Sequence, residues 1–426
     1  MNIERLYEIY QQYPSIQTDS RKIKAGDLFF ALKGPNFNGN LFAKQALDAG
    51  AAYSIVDESS AVKDERIILT DDVLQTLQLL ARHHRRQFKI PFVAITGSNG
   101  KTTTKELVHA VLSSKYKTYT TQGNLNNHIG IPLTILQVKK DAEMAVIEMG
   151  ANHRGEIAAY CQYTLPTHGI ITNCGKAHLE GFGGIEGVKK GKGELYDFIR
   201  ETGGTVFAMW DYPYLREMSK GIATVIKYGT TEADYVGNIL QAEPFLSVSM
   251  SNGVMIPDIN TKLVGDYNLP NVLVAVAIGD YFKVPQEKIK EAIELYTPSN
   301  SRSQLLNWKS NQIILDAYNA NPSSMKLAIE NFAHLHADKK LLLLGGMAEL
   351  GKESIQEHES IVDLIKKYKW SDVALVGGDF QKINHPFKKF NNAQEAGQWL
   401  NGLELTNAYL LVRDRGACKW KKYLSS

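Results

Sequence analysis

Short apolar runs alternate with amphipathic segments along the chain. The runs at residues 92–96, 143–151 and 168–173 are rich in β-branched residues and lack a strict polar–apolar alternation. That composition is typical of strands buried on both faces of a parallel sheet. Between the runs, apolar residues recur at helical spacing. Together the two patterns predict an α/β fold with a mostly parallel sheet in the middle of the chain.

Both ends of the chain repeat this alternation. Near the amino terminus we predict strands at 26–34 and 53–58, and helices at 40–52 and 71–88, the latter capped by Asp71 or Asp72. A turn followed by a helix is predicted at 264–282. In the last third the predicted strands are 312–318, 340–346, 372–378 and 408–414, and the predicted helices are 322–335 and 354–368.

Two polar, turn-forming stretches suggest domain boundaries. One is the basic end of the helix at 71–88, and the other is the turn at 296–299. We therefore expect three domains: a small N-terminal α/β domain at 1–88, a central domain at 89–297 and a C-terminal Rossmann-like domain at 298–426. Doubly wound sheets place ligands beyond the carboxyl ends of their strands. The residues predicted at such ends are Gly97, Glu148, Asp316, Gly345 and Asp414.

A glycine-rich turn, TGSNGKT at 96–102, lies between a predicted strand and a predicted helix. Backbone N–H groups of such a turn bind phosphate, a lysine reaches the outer phosphates, and a threonine hydroxyl reaches Mg²⁺. The loop is shorter than the usual pattern, because Ile95 stands where a first glycine is expected. The structural alternative is an ordinary strand-to-helix turn. We assign to nucleotide binding the residues Gly97, Ser98, Asn99, Gly100, Lys101, Thr102 and Thr103.

Two further side chains are candidate metal ligands. Glu148 ends a predicted strand, and a carboxylate beside a phosphate loop is well placed to bind Mg²⁺. Its alternative role is that of a cap or an ion pair. His178 follows another predicted strand and is either a structural histidine or a metal ligand. The basic stretch at 189–198, which contains Lys192, has the composition of a solvated turn.

Candidate binding residues also precede and follow a strand of the last domain. Arg302 lies before it, and Asp316 at its end is either a ligand or the cap of the next helix. Asn319, Asn321 and Ser323 offer neutral hydrogen-bonding groups suited to a zwitterionic peptide. Their alternative role is turn formation before a proline.

Composition narrows the classes of function. Of 426 residues, 48 are Lys or Arg and 45 are Asp or Glu, which gives a net charge of +3. This bias is too small to indicate nucleic-acid binding. Cys161, Cys174 and Cys418 are far apart, which favours a reducing compartment. No apolar run approaches the roughly 20 residues of a membrane span, and no signal-peptide pattern begins the chain. We expect a cytoplasmic monomer with no membrane insertion and no nucleic-acid partner.

Nine stretches carry a family resemblance. They are TDSRKIKAGDLFFALKG (18–34), TGSNGKTTTKE (96–106), GNLNNHIGIPLTIL (123–136), IEMGANHRGEI (147–157), AHLEGFG (177–183), KGELY (192–196), GDYNLPNVLVAVA (265–277), LDAYNANPSSM (315–325) and GGMAELG (345–351). Together they resemble the Mur ligase superfamily, which includes the folylpolyglutamate synthetases. The stretches at 147–157, 177–183, 315–325 and 345–351 resemble the branch that adds D-alanyl-D-alanine.

The resemblance implies a central P-loop ATPase domain and roles for individual residues. Lys101, Glu148, His178 and Lys192 would be catalytic. Thr102, Glu148 and His178 would hold two Mg²⁺ ions, together with Lys192 in carbamylated form. The nucleotide, ATP, would also meet Asn268, Asn271, Arg302 and Asp316. Substrate contacts would come from Asp19, Ser20, Arg21, Lys33, Asn126, Asn127, Asn319, Asn321 and Ser323.

The implied reaction is ATP-dependent amide formation through an acyl phosphate. UDP-N-acetylmuramoyl-tripeptide would supply the carboxylate and D-alanyl-D-alanine the amine, which makes a peptidoglycan precursor. One alternative is a sister ligase that adds a single amino acid, or a folylpolyglutamate synthetase-like ligase. A second is a nucleotide switch or motor that joins no substrates. The chain departs from the family pattern at 38–40, where it reads Asn-Gly-Asn, and at Gly346.

Overall fold

The protein is described by a computed structural model. The structure describes residues 2–299, 302, 304–316, 320–415 and 420. The described residues form three main α/β units that follow one another along the chain, in agreement with the predicted fold class. Asn319, a predicted dipeptide contact, and Cys418 lie outside the described residues.

The first unit is built on a small parallel sheet. Its strands and helices are α1 (Ile3–Gln12), β1 (Ile16–Gln17), β2 (Leu28–Phe30), β3 (Lys33–Gly34), β4 (Phe37–Asn38), α2 (Ala43–Asp48), β5 (Tyr53–Val56), β6 (Ile67–Leu69) and α3 (Val73–Arg85). The sheet order is β1-β2-β5-β6. The single strand predicted at 26–34 is divided in two, because its second half turns into the β3–β4 hairpin. Asp72 caps α3 by accepting a hydrogen bond from Gln75 N at 2.7 Å, as one of the two predicted caps.

The second unit carries the largest sheet. Its elements are β7 (Phe92–Thr96), α4 (Lys101–Ser113), β8 (Thr118–Thr120), α5 (Gly130–Leu136), β9 (Met144–Glu148), α6 (Glu156–Thr164), β10 (His168–Ile171), α7 (Leu179–Phe182), α8 (Ile185–Thr202), β11 (Thr205–Met209), α9 (Pro213–Met218), β12 (Thr224–Gly229), β13 (Tyr235–Gln241), β14 (Ser247–Asn252), β15 (Ile259–Asn260), α10 (Leu269–Tyr281) and α11 (Gln286–Leu295).

In this sheet the strands run β15-β14-β13-β12-β11-β10-β7-β9-β8. The strands from β8 to β13 are parallel to their neighbours, whereas β14 and β15 join antiparallel. The strands β7 and β9 are buried along their whole length, as their continuous apolar runs predict.

One prediction in this unit is wrong. The basic stretch at 189–198 is not a solvated turn but the middle of helix α8. Val188, Leu195 and Ile199 form the apolar face of this helix, and all three are buried. Gly191 allows close packing, because a Cβ there would lie 2.5 Å from the ring of Phe182. The helix therefore packs closely enough to bury a lysine.

The third unit is a doubly wound domain with one antiparallel edge. Its elements are β16 (Gln304–Trp308), β17 (Asn311–Leu315), α12 (Pro322–His334), β18 (Lys340–Gly345), α13 (Ser354–Lys366), β19 (Asp372–Val376), β20 (Lys388–Phe390), α14 (Ala393–Asn401) and β21 (Tyr409–Arg413). The sheet order is β16-β17-β21-β18-β19-β20, and only the β16–β17 pair is antiparallel among the described strands.

The first unit is joined to the second by helix packing. Helix α3 packs against α5 and α6. The buried guanidinium of Arg85 donates to the carbonyl of Thr164 at 2.9 Å and to that of Leu165 at 3.0 Å, which satisfies the end of α6. No helix in the described part of the chain has the length and apolarity that a membrane span requires.

Candidate active site

A cavity of about 980 Å³ lies where the second and third units meet, beyond the carboxyl ends of β7, β9 and β10. Most of the predicted site residues line it. They are Ser98, Asn99, Gly100, Lys101, Thr103, Asn126, Asn127, Glu148, His178, Asn268, Asn271, Arg302, Asp316 and Ser323. Residues that are far apart in the sequence, from both the second and the third unit, therefore converge on one space. Gly345 and Asp414, predicted at strand ends, are not among the lining residues.

The phosphate loop takes a conformation that requires glycine at two positions. Gly97 has φ +143°, and a Cβ there would lie 2.0 Å from the hydroxyl oxygen of Thr172. Gly100 has φ +78°, and a Cβ there would lie 2.8 Å from Oδ1 of Asn271. Both substitutions would displace neighbouring atoms. The glycines keep the backbone free to approach an anion at the start of α4.

Ser98 and Asn99, which lie between these two glycines, are held by the segment that follows β10. Ser98 Oγ donates to the carbonyl of Gly175 at 2.9 Å. The backbone N–H of Asn99 donates to Oδ1 of Asn173 at 3.1 Å. The segment after β10 therefore holds these two loop residues in place.

Lys101 folds back over its own loop. Its ammonium donates to the carbonyls of Gly97 at 2.6 Å and Ser98 at 3.2 Å. Burial of the ammonium lowers the pKa of Lys101 to about 8, and the nearby positive charge of Arg302 acts in the same direction. The negative charge of Glu148 opposes both effects. The amine is thus held at the position where a bound phosphate would need a cation.

Glu148 and Thr102 form the hard-oxygen part of the site. Thr102 Oγ1 donates to one carboxylate oxygen of Glu148 at 2.9 Å, and Asn126 Nδ2 donates to the other at 2.7 Å. These are neutral partners, so Glu148 is not held by an ion pair. Among the described residues no group of three or more His, Cys, Asp or Glu could hold a metal. The pair still fits Mg²⁺, which keeps several waters and takes one or two carboxylates plus substrate phosphates.

His178 lies at the wall that the third unit completes. Its Nδ1 hydrogen-bonds to a carboxylate oxygen of Glu349, whose other oxygen accepts from Arg415 at 2.7 Å. Burial lowers the pKa of His178, and the charge of Glu349 partly opposes this. The imidazole therefore has one nitrogen engaged by the third unit and lines the cavity.

Lys192 lies behind the cavity wall rather than on it. Its side chain is 1% exposed, and its amine donates to the carbonyl of Ala151 at 2.9 Å. The ring centroid of Phe182 is 4.9 Å from the amine. Burial lowers the pKa of Lys192 to about 7, with a contribution from the charge of Lys101. An amine with a pKa near 7 is neutral in a substantial fraction of molecules at neutral pH, and the neutral form is the one that reacts with CO₂, so the residue fits a carbamate.

The nucleotide residues predicted in α10 and its entry turn form a chain of hydrogen bonds. Thr104 Oγ1 donates to Oδ1 of Asn271 at 3.0 Å, and Asn271 Nδ2 donates to Oδ1 of Asn268 at 2.9 Å. Asp316 accepts from Arg413 and does not cap α12. The cap is Asn321, whose Oδ1 accepts from Ser324 N at 3.0 Å, so the turn-forming role of Asn321 is confirmed.

Asn321 and Ser323 also bridge to the second unit. Asn321 Nδ2 donates to Oδ1 of Asn99 in the phosphate loop at 2.7 Å. Ser323 Oγ accepts from the backbone N–H of Lys176 at 2.8 Å. Ser323 thus lines the cavity, whereas Asn321 lies directly behind the phosphate loop. Two of the three predicted dipeptide contacts are in this way tied to the nucleotide side of the site.

The predicted residues of the first unit do not line this cavity. Asp19 and the exposed Arg21 form an ion pair with each other at 2.8 Å, and the intervening Ser20 begins a short 3₁₀ turn. Lys33 pairs with Asp57 at 3.0 Å. The divergent stretch at 38–40 is also structural, because Asn40 Nδ2 donates to Asp57 at 2.8 Å. No ligand role follows for these residues from the cavity itself.

One lobe of the cavity was not predicted. It lies at the carboxyl ends of β11 and β12 and is lined by Asp211, Tyr212, Tyr214, Thr230, Ile239 and Leu327. The rings of Tyr212 and Tyr214 stack with centroids 5.5 Å apart. The paired aromatics of the sequence DYPY are a signal that could have been noticed. Ile239 belongs to β13 and Leu327 to α12, and only the three-dimensional fold shows that both line the same cavity.

Family models match part of each of the three units. The Mur ligase family catalytic domain matches residues 12–90, the Mur ligase middle domain matches 95–279, and the Mur ligase glutamate ligase domain matches 301–405. A UDP-N-acetylmuramoyl-tripeptide–D-alanyl-D-alanine ligase of Bacillus subtilis is 37% identical over 345 residues, which are 79% of this chain and 74% of the relative. The chain belongs to the Mur ligase family.

Further relatives place this Mur ligase in the MurF branch. The Escherichia coli enzyme of the same name is 34% identical over 375 residues, 87% of this chain and 82% of that one. Among solved structures, MurF of Acinetobacter baumannii has a TM-score of 0.88 at 27% identity and covers 98% of both chains. MurF of Thermotoga maritima in complex with ADP has a TM-score of 0.87 at 25% identity, over 96% of this chain and 98% of that one.

Proposed function

We propose that this Mur ligase joins D-alanyl-D-alanine to UDP-N-acetylmuramoyl-tripeptide, with hydrolysis of ATP to ADP and phosphate. The observation that carries the proposal is the cavity between the second and third units. Phosphate-loop residues, Lys101 and Glu148 line it, Thr102 donates to Glu148 from behind, and the third unit completes the wall. The MurF relatives supply the identity of the two substrates.

The chain's own residues account for the first half of this reaction. A carboxylate becomes a good electrophile when it receives the γ-phosphoryl group, which leaves ADP and gives an acyl phosphate. The triphosphate and the carboxylate are both negatively charged, so they must be brought together against repulsion. Lys101 and the backbone N–H groups at the start of α4 supply positive potential for this.

Metal ions would complete the countercharge. Thr102 and Glu148 would hold one Mg²⁺, while His178 and a carbamylated Lys192 would serve a second. These ions would neutralise charge on the transferring phosphoryl group. The fit rests on the oxygen donors of Thr102 and Glu148, on the cavity-facing imidazole and on the depressed pKa of Lys192.

The second half of the reaction depends on the third unit. The free amine of D-alanyl-D-alanine attacks the acyl carbon, phosphate leaves, and the amine gives up its proton. Ser323 and the neighbouring helix α12 are placed where they could receive the dipeptide, directly beside the phosphate loop. Holding the reacting groups in line supplies a large part of such rate enhancements, on the order of 7–11 kcal/mol.

The deciding experiment is mass spectrometry of the product formed from UDP-N-acetylmuramoyl-tripeptide, ATP, Mg²⁺ and D-alanyl-D-alanine. The expected result is a pentapeptide product with one ADP released per amide formed. ADP release should require both peptide substrates. Product formed when a single amino acid replaces the dipeptide in the assay would identify a sister ligase. ADP release without either peptide substrate would identify a nucleotide switch.

A further inference from the structure

The segment at 176–180, which follows β10, contacts three parts of the third unit. The backbone N–H of Lys176 donates to Ser323 Oγ at 2.8 Å, and its ammonium pairs with the buried Glu357 at 2.5 Å. The backbone N–H of Glu180 donates to the carbonyl of Glu349 at 3.2 Å. These contacts come from α12, from α13 and from the loop after β18. The segment is thus a main contact surface between the two units.

His178 lies in the middle of this segment and meets Glu349 side chain to side chain. Arg415 holds the other carboxylate oxygen of Glu349 at 2.7 Å. Both His178 and Glu349 have a left-handed backbone, with φ +53° and +63°. This conformation is unfavourable for residues other than glycine and persists only where the surroundings impose it. The contact is therefore held from both sides by well-defined backbone geometry.

The chemistry of the contact fixes the imidazole. An ionised carboxylate only accepts hydrogen bonds, so Nδ1 of His178 carries a proton when it binds Glu349. In the neutral ring Nε2 is then unprotonated and offers a lone pair. Carboxylate partners fix the tautomer and ring orientation of ligating histidines in the same way. Because His178 lines the cavity, the third unit determines which nitrogen lone pair is available there.

We propose that Glu349 is a positioning residue that couples closure of the third unit to the tautomer and orientation of His178. The inference rests on the proposed function, which assigns His178 to the Mg²⁺–nucleotide site. When the third unit moves away, His178 loses its acceptor and the ring can take either tautomer. Closure of the unit that receives the dipeptide therefore favours the Nδ1–H tautomer, in which Nε2 is free to bind metal.

The test compares Glu349→Gln with the wild type by ¹⁵N NMR of histidine-labelled protein. The His178 resonances are assigned with His178→Asn, and spectra are taken with Mg²⁺, a non-hydrolysable ATP analogue and UDP-N-acetylmuramoyl-tripeptide. We expect a single Nδ1–H tautomer in the wild type and a mixture in Glu349→Gln, because an amide can both accept and donate. Glu353→Gln removes the same charge from an exposed position nearby and should match the wild type.

Kinetics give a second measurement. In Glu349→Gln the Mg²⁺ concentration for half-maximal rate should rise about 10–100-fold, while KM for the nucleotide-sugar peptide should change less than threefold. If His178 shifts and Mg²⁺ dependence in Glu349→Gln equal those of Glu353→Gln, the proposal is overturned. Should Glu349→Gln fail to fold, Arg415→Met removes the second support of Glu349 and should move both measurements in the same direction. A wild type that forms no product refutes the proposed function instead, and the tautomer comparison still decides this inference.

Discussion

Lys101 shows how a single residue prepares the site before any ligand arrives. Lys101 is the first residue of α4, and its ammonium donates to the carbonyls of Gly97 and Ser98 in the loop that precedes this helix. These carbonyls satisfy the charge of the ammonium. A triphosphate would take their place, so the lysine needs to move only a short way to meet it.

We expect Lys101→Ala to lower turnover by roughly 100–1000-fold, the usual loss when a preorganised charge-stabilising group is removed. The fold should be retained, because the hydrogen bonds that the ammonium makes to described residues go to carbonyls of its own loop. ADP release measures the rate, and circular dichroism checks folding. Lys140→Ala, at an exposed position, is the charge control. Near-normal turnover in Lys101→Ala would contradict the phosphate-loop assignment.

Lys192 supports a second prediction at this scale. Lys192→Ala should be poorly active and should regain part of its activity with millimolar acetate or propionate, because a small carboxylate can occupy the space of a carbamate. ADP release with and without added carboxylate is the measurement. Lys190 lies two residues before Lys192 on α8 and is exposed, so Lys190→Ala should be fully active and insensitive to the added carboxylate. If added carboxylate does not rescue Lys192→Ala, and the wild type keeps full activity in CO₂-depleted buffer, a carbamate on Lys192 is contradicted.

The sequence identified most of the cavity residues but gave the wrong environment for Lys192. The phosphate loop, Glu148 and His178 follow strands, so their position at one sheet edge could be predicted from order alone. The burial of Lys192 depends on how closely α8 approaches Phe182, which is a tertiary contact. Glu349 belongs to the stretch GGMAELG at 345–351. Its contact with His178 joins two units, and no local sequence pattern reveals such a pairing.

At the scale of elements, apolar runs predicted the buried parallel strands well. β7, β9, β18, β19 and β21 all lie within predicted strands. Strands β11 to β16 were not predicted; β11 and β12 are parallel to their neighbours, whereas β13 to β16 take part in antiparallel pairs. Strands β15 and β16 lie at sheet edges, and polar residues interrupt the apolar pattern of β13, β14 and β16. Their pairing depends on neighbouring strands more than on their own composition.

Strand β10 begins with a buried histidine, and this gives a pH prediction. His168 packs among Phe207, Tyr281 and Phe282, and burial lowers its pKa to about 4. The unfolded chain, with a histidine pKa near 6.5, binds more protons between these values. Stability is therefore lost as the pH falls from about 6.5 towards 4. Between pH 7.5 and 5 the loss should be about 2 kcal/mol.

Urea unfolding of His168→Phe at pH 7.5 and pH 5 measures this contribution. The variant should lose about 2 kcal/mol less free energy of unfolding than the wild type over that interval, because phenylalanine does not titrate. His153→Gln, at an exposed position, should follow the wild type. An equal pH dependence in His168→Phe would show that folding does not lower the pKa of His168.

At the scale of the whole molecule, the third unit is attached differently from the first. It reaches the second unit through polar pairs around α7 and the phosphate loop, such as Lys176–Glu357 and Asn99–Asn321. Lys176 is partly exposed although Glu357 is buried, and polar contacts at such a junction exchange with water more readily than apolar packing does. Opening and closing at this junction is therefore the expected large motion of the molecule.

A disulfide can test whether that motion is needed. A Cβ at Gly351 would lie 3.2 Å from the Cβ of Glu180, close to the separation of about 3.8 Å found in disulfides. We expect the double variant Glu180→Cys, Gly351→Cys to lose at least tenfold in turnover when oxidised and to recover on reduction. Each single variant is the control. Full turnover of the oxidised form, verified by mass spectrometry, would show that the junction does not have to open.

Helix α3 has a consequence for protein engineering. Because Arg85 satisfies the end of α6 and α3 packs on α5 and α6, the first two units share a helical interface that foreign sequence would disrupt. The junction near residue 298 has no comparable helix packing among the described elements. Chimeras that import the final unit of another ligase should therefore fold, whereas grafts of the opening unit should not. Under the proposed function, recombination at that later junction offers a route to enzymes that keep the nucleotide sugar and accept a new amine.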